Sequence, residues 1–175
     1  SQDLVVQLLA LARAQDKPAE AGQTVSVHKV FRQVLEDLMP LADRKQLDIG
    51  VTGEGDVVVA ASEADLGTVL RNLVDNAIRY TPASGRIDLS VRTAGDKAVL
   101  LISDTGPGIA PFERAHVFEA FYRTQGTGEA GSGLGLSIVK AIADRIPAEL
   151  RLSETDEITH AGLRVEIVLA VAGLR

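Results

Sequence analysis

The stretch LGTVLRNLVDNAIRYTP (residues 66–82) decides how the rest of the chain is read. Apolar side chains fall at Leu66, Val69, Leu70, Leu73, Val74, Ala77 and Ile78, the i, i+3, i+4, i+7 spacing of a helix with one buried stripe. Asn72, Asn76 and Arg79 recur at the same spacing and form a second, polar stripe along its border. Two amides and a cation at the edge of a core suit either a solvated flank or a ligand. Two loops downstream tip the reading towards a ligand: DTGPGI (104–109) and GSGLGLS (131–137). A polar helix edge followed by two glycine loops points to a nucleotide site.

Composition narrows the frame around that helix. A chain of 175 residues holds one domain with a sizeable core and room for an appendage. Hydrophobic residues make up 46% but aromatics only 3%, with no Trp, so the core is aliphatic. The net charge of −6 argues against nucleic acid as a partner, because neutralising phosphates takes a basic surface. With no cysteine, disulfides, thiolate metal sites and cysteine nucleophiles are excluded. No apolar run approaches the roughly 20 residues of a membrane span, and no signal peptide is visible. No direct membrane contact and a cytoplasmic location are the expectations.

Upstream of the central helix, residues 3–14 carry Leu4, Leu8 and Leu11 with Val5, Leu9 and Ala12 alongside, a short amphipathic helix that needs a partner. Residues 16–23, with Pro18 and Gly22, read as a linker. A second helix is predicted over 27–45, burying Val30, Phe31, Val34, Leu35 and Leu38, with Pro40 kinking or breaking it. Short strands around 47–51 and 57–60 are joined by a turn at 53–56. Downstream, TPASG (81–85) stops the central helix, 86–93 alternates as a half-buried strand, and 97–104 reads as a strand buried on both faces. Residues 112–123 read as a helical piece, whereas 124–132 have almost nothing to bury and read as a mobile loop. A helix over 135–145 and strands near Leu150 and over 163–170 complete the domain.

Chemistry concentrates at three places. Asp104 ends an apolar strand, and an ionised carboxylate only accepts hydrogen bonds, which suits an exocyclic amino group such as that of adenine. Gly106 and Gly108 let backbone approach a flat ring; the same residues equally suit a turn that merely ends a strand. Gly131, Gly133 and Gly135 open a helix, where free N–H groups and the dipole favour an anion, although neither the Walker A nor the dinucleotide spacing is present. Asn72 and Asn76 do not titrate, but their amide oxygens suit a hard cation such as Mg²⁺ that bridges phosphates. Arg79 is placed to meet a phosphate, and Arg123 adds a second cation from the 111–132 segment.

The succession NLVDNAIRYTP, DTGPGI, VFEAFYR and GSGLGLSIV strongly resembles the N, G1, F and G2 boxes of sensor histidine kinases. Their catalytic domain is shared with DNA gyrase, heat-shock chaperones and mismatch-repair proteins. The resemblance covers roughly residues 24–171, and the order and separation of the boxes make it specific. It implies an α/β fold: a two-layer α/β sandwich with a mixed, mostly antiparallel sheet, helices on one face and ATP under a mobile lid. It also implies ATP and Mg²⁺, with Asn76 on the metal, Asp104 on the adenine amino group, Tyr80 lining the base pocket, and Gly133 and Gly135 at the phosphates. Ile109, Gly131, Ser132, Leu134 and Leu136 belong to the same boxes and join the implied ATP site, and Asn72, Asn76, Arg79 and Arg123 the catalytic set.

Three departures qualify the match. Arg79 stands where lysine is commonest, which keeps the charge. DRIP (144–147) replaces a usual His-Gly-Gly turn at the exit of the last helix. No acceptor motif of the family surrounds His28, His116 or His160. Residues 1–15 resemble the tail of the second dimerisation-domain helix, leaving 16–23 as linker and 24–175 as the catalytic ATP-binding domain. The expectation is therefore a catalytic piece that phosphorylates a histidine on dimerisation helices outside this chain. A response-regulator receiver domain would be the onward partner, and the parent an inner-membrane sensor. An ATP-driven clamp, an anti-sigma serine kinase and an ATP-sensing module are the competing readings of the same fold. The clamp branch hydrolyses ATP with a glutamate base where this chain has Asn72.

Overall fold

Alternation along residues 86–91 and the apolar run 98–102 produce the middle of a five-stranded sheet. In the computed structural model, which describes residues 2–16, 21–53, 55–123 and 133–173, β4 (Arg86–Ala94) and β5 (Lys97–Asp104) form an antiparallel hairpin. Strand β7 (Arg164–Ala170) pairs antiparallel with the other edge of β5, and β6 (Glu149–Ser153) pairs with β7. A fourth neighbour, β2 (Asp48–Val51), runs parallel to β4, giving the order β2-β4-β5-β7-β6. Partners directly opposite one another share a face, so the register Leu89–Ile102–Val165–Leu152 and the next row, Val91–Leu100–Ile167–Leu150, define one apolar layer.

Three helices cover that layer. They are α2 (Val27–Arg44), α3 (Glu63–Tyr80) and α4 (Gly135–Arg145), with α3 packed between the other two. Ser26 and Ser62 accept from the backbone N–H groups of Lys29 and Asp65 and cap α2 and α3. The seven apolar residues of the α3 stripe are all buried, as their spacing requires. The expected two-layer α/β sandwich with a mostly antiparallel sheet is what the chain forms.

Four local expectations need correction. Helix α2 is not broken at Pro40 but continues to Arg44, because Pro40 lies on the exposed side, where the carbonyl it leaves without a donor can be hydrated. The short strands on either side of residues 53–56 join different sheets: β3 (Val58–Val59) pairs with β1 (Val25–Ser26), away from β2. Residues 112–123 form successive turns, with Glu113, Arg114, His116, Glu119 and Tyr122 each donating to the carbonyl three residues earlier. Only Glu113 and Val117 of that segment are buried, so no continuous apolar stripe holds a regular helix there.

The fourth correction concerns α1 (Gln2–Asp16), which packs on α4 through the Leu4, Gln7, Leu11 and Ala14 side. Val5, Leu8 and Leu9 of the expected stripe remain exposed. Among the described residues no helix is long and apolar enough to cross a membrane.

Candidate nucleotide site

The parity that buries Leu100 and Ile102 also turns Asp104 towards the helices, at the end of the same strand. There it is only 6% exposed, beneath the C-terminal half of α3. Its Oδ1 accepts from the backbone N–H of Gly106 at 2.9 Å and of Leu163 at 3.1 Å. Among the described residues Oδ2 has no partner. Burial pushes the carboxyl above the ordinary aspartate range, and the two backbone donors offset part of that rise. This is a fixed acceptor with one oxygen to offer.

A cavity of about 1080 Å³ runs from Asp104 along α3 to the start of α4. Asn72, Asn76, Arg79 and Tyr80 line its α3 side, with Gly108 and Ile109 beyond Asp104. At the other end stand Gly133, Gly135 and Leu136, and Arg123 reaches the rim. The Nδ2 group of Asn72 donates to the Thr68 carbonyl at 2.8 Å, which fixes the direction of its oxygen. A Cβ on Gly135 would stand 3.2 Å from Asn72 Oδ1 and 3.7 Å from Asn76 Oδ1, so both amide oxygens converge on the first turn of α4. Among the described residues no side chain caps that helix, whose N-cap is Leu134. Its first N–H groups are therefore available to an anion.

Residues 61–172 match the family described as the histidine kinase-, DNA gyrase B- and HSP90-like ATPase. This chain belongs to that ATPase family. It is 36% identical over 168 residues to the sensor protein kinase PmrB of Pseudomonas aeruginosa, covering 95% of this chain and 35% of that protein. To the swarming motility regulation sensor protein RssA of Serratia marcescens it is 35% identical over 151 residues, covering 85% of this chain and 32% of that protein. The chain thus spans about a third of the length of these curated relatives. The solved structure of a mycobacterial sensor histidine kinase, MprB, superposes with a TM-score of 0.73 at 32% identity, over 85% of this chain and 97% of that one. Within the ATPase family, the chain is therefore of the sensor histidine kinase kind, the catalytic ATP-binding domain.

Not every anticipated residue of this ATPase domain sits on the cavity wall. Leu134 is fully buried and contributes to the core, while its carbonyl accepts from Ser137 Oγ at 2.7 Å. Gly106 acts through its N–H on Asp104. Gly131 and Ser132, and the loop expected over 124–132, lie outside the described residues. Arg79 is paired with Asp75 at 2.9 Å, one turn back on α3. Its approach to the cavity is thus held by a carboxylate that the polar stripe alone did not mark.

Other participants have roles at the site that the sequence did not announce. Leu163 holds Asp104 through its backbone, which no side-chain pattern announces. Tyr122 donates to Glu113 Oε1 at 2.9 Å beside Val117, fixing the last of the 111–122 turns, and Phe121 N–H donates to the Gly133 carbonyl at 2.9 Å. Helix α1 lines the same cavity through Asp3, Leu4, Val6, Gln7 and Ala10, although the expectation treated it as an appendage.

Proposed function

We propose that this domain binds Mg-ATP in the α3–α4 cavity and presents its γ-phosphoryl group to a histidine on dimerisation helices not contained in this chain, in two-component signalling. The observation carrying this reading is the convergence of the Asn72 and Asn76 oxygens on the uncapped start of α4, in one cavity with Asp104. Asp104 accepts from the adenine amino group through Oδ2, and Tyr80 borders the base. Phosphates meet the N–H groups at Gly133 and Gly135 and the charges of Arg79 and Arg123. The donor set fits Mg²⁺: neutral amide oxygens are hard ligands and leave room for phosphate oxygens and water. The metal supplies charge neutralisation between phosphates. Everything else falls to the chain's own groups, which position the nucleotide and exclude solvent from its base.

The solved structure of full-length ShkA, in complex with AMPPNP, superposes on this chain with a TM-score of 0.81 at 27% identity. It covers 98% of this chain and 36% of that one, and its being a complex with AMPPNP supports the reading of this domain as one that binds an adenine nucleotide. Residues 1–15 are then the tail of a dimerisation-domain helix and 16–23 a linker. A response-regulator receiver domain is the onward partner of a membrane-bound parent.

The decisive test mixes this chain with Mg-ATP and a separately made acceptor-helix domain and follows acid-labile phosphohistidine. Label is expected on the added domain only. Label accumulating instead on His28, His116 or His160 at the rate of ATP turnover would overturn the proposal. The metal role has its own test. Asn76→Ala should abolish the Mg²⁺ dependence of ATP affinity and leave adenosine binding unchanged, because the amide oxygen acts only through the cation. Parallel losses for adenosine and Mg-ATP would make Asn76 a structural residue of the helix edge.

A further inference from the structure

The loop between β6 and β7 makes no part of the glycine boxes, yet it supplies most of the support for Asp104. Leu163 donates to Asp104 Oδ1 at 3.1 Å and its carbonyl accepts from the Asp104 N–H at 2.9 Å, while Gly162 N–H donates to the Gly106 carbonyl at 2.7 Å. The packing here leaves no slack. Gly162 has a φ of +78°, and a Cβ there would stand 2.3 Å from the Asp104 carbonyl oxygen and 2.6 Å from Thr155 Cβ. The loop also closes on itself, with Asp156 N–H donating to the Ala161 carbonyl at 3.0 Å and Asp156 Oδ1 accepting from Ile158 N–H at 2.9 Å. Where this loop sits, the carboxylate sits.

One guanidinium anchors the loop to the opposite rim. Arg114 Nη2 lies 2.8 Å from Glu154 Oε1, and Arg114 Nε donates to the Ile109 carbonyl at 3.1 Å. A single side chain therefore joins the end of the first glycine loop, the 111–122 turns and the start of the β6–β7 loop. Both partners are only about one-fifth exposed. Pairs such as Arg86–Asp88 and Arg151–Glu149 are more exposed and link neighbours on one strand, where they position nothing beyond themselves. The Arg114 hydrogen bond is also the chief reason that the Glu154 carboxyl is held below the ordinary glutamate range.

We infer that Arg114 and Glu154 are positioning residues for base recognition, tying the 111–122 turns to the loop that holds Asp104. The inference rests on the nucleotide reading of the cavity and adds two residues to it. It is tested by calorimetric titration of adenosine, ATP and GTP into the unaltered protein, Arg114→Gln, Glu154→Gln and the double variant, each checked for an unchanged far-ultraviolet spectrum. Each single variant should bind adenosine and ATP about three- to tenfold more weakly, by the same factor for both, with a smaller preference for ATP over GTP. The double variant should be no weaker than Arg114→Gln alone, since both changes cut one tie. Unchanged adenosine affinity in both single variants overturns the inference. So does a loss confined to ATP, which would place Arg114 at the phosphates, and so do losses that multiply in the double variant. Asp104→Ala separates this failure from a deeper one. If it binds adenosine as well as the unaltered protein does, Asp104 does not read the base, and the tie falls with that role rather than by its own failure.

Discussion

Asp104→Asn should lower ATP affinity by about 10- to 150-fold, the equivalent of one hydrogen bond to a charged acceptor at roughly 1.5–3 kcal/mol. The argument depends on which oxygen is committed. Because Oδ1 accepts from both Gly106 and Leu163, the carbonyl oxygen of an asparagine must take that place. Its NH₂ group then faces the cavity and meets the adenine amino group donor to donor. A base presenting a carbonyl there suffers no such conflict, so the preference for ATP over GTP should shrink or reverse. Competition binding with the two nucleotides reads this directly. An Asn variant that keeps full ATP selectivity would show that Asp104 does not touch the base.

The same substitution should have the opposite effect on the empty protein. Burial raises the Asp104 pKa above its unfolded value, so its contribution to stability is full below the unfolded pKa and is lost as pH rises through the folded one. At neutral pH the folded protein thus carries a desolvated charge that the unfolded chain does not. Asparagine removes that charge. The Tm of Asp104→Asn relative to the unaltered protein should therefore climb as pH rises through the raised pKa, and the two should converge in acid. Recognition and stability oppose one another at this residue.

Much of this arrangement is legible in the sequence because periodicity and burial agree there. Helix α3 carries an unbroken apolar stripe, and its polar border contains both asparagines that converge on α4. The β5 run, read as buried on both faces, does not by itself fix the side to which Asp104 points. That side follows from its register with the alternating β4, where Ile87, Leu89 and Val91 stand opposite Asp104, Ile102 and Leu100. What escaped was whatever depended on partners remote in the chain. Two-residue strands such as β1 and β3 carry no period, and their pairing is decided by where α2 and α3 leave their starts. Residues 112–123 contain aromatics at helical spacing, but Phe112 and Phe121 are exposed, and Phe121 has a φ of +68° where it bonds to Gly133. The face that α1 buries is chosen by α4, so Gln7 packs while Leu8 and Leu9 do not. Backbone donors such as Leu163 N–H leave no trace in residue type at all.

The departure DRIP at the exit of the last helix leads to the largest effect expected on stability. Arg145, in the last turn of α4, makes a two-pronged contact with Asp65 in the first turn of α3, at 2.8 and 2.9 Å, and both side chains are only 10% exposed. Its Nε also donates to the carbonyl of Ala14 at 3.2 Å, near the end of α1, where helix carbonyls lack partners of their own. Removing one member of such a pair leaves a buried charge uncompensated, so Arg145→Met should destabilise the domain by about 3–5 kcal/mol in urea unfolding. The start of α3 favours the Asp65 charge, which places the effect towards the lower end of that range. Removing both charges together, Asp65→Leu with Arg145→Met, should recover most of the loss, because apolar pairs of similar volume replace buried ion pairs at little net cost. Amide exchange then separates the two jobs of Arg145. Protection in α1 should stay reduced in the double variant, since the bond to Ala14 is still missing, while protection in α3 and β5 returns with global stability. A shift below about 1 kcal/mol for Arg145→Met, the behaviour of an exposed pair, would show that solvent reaches this contact freely.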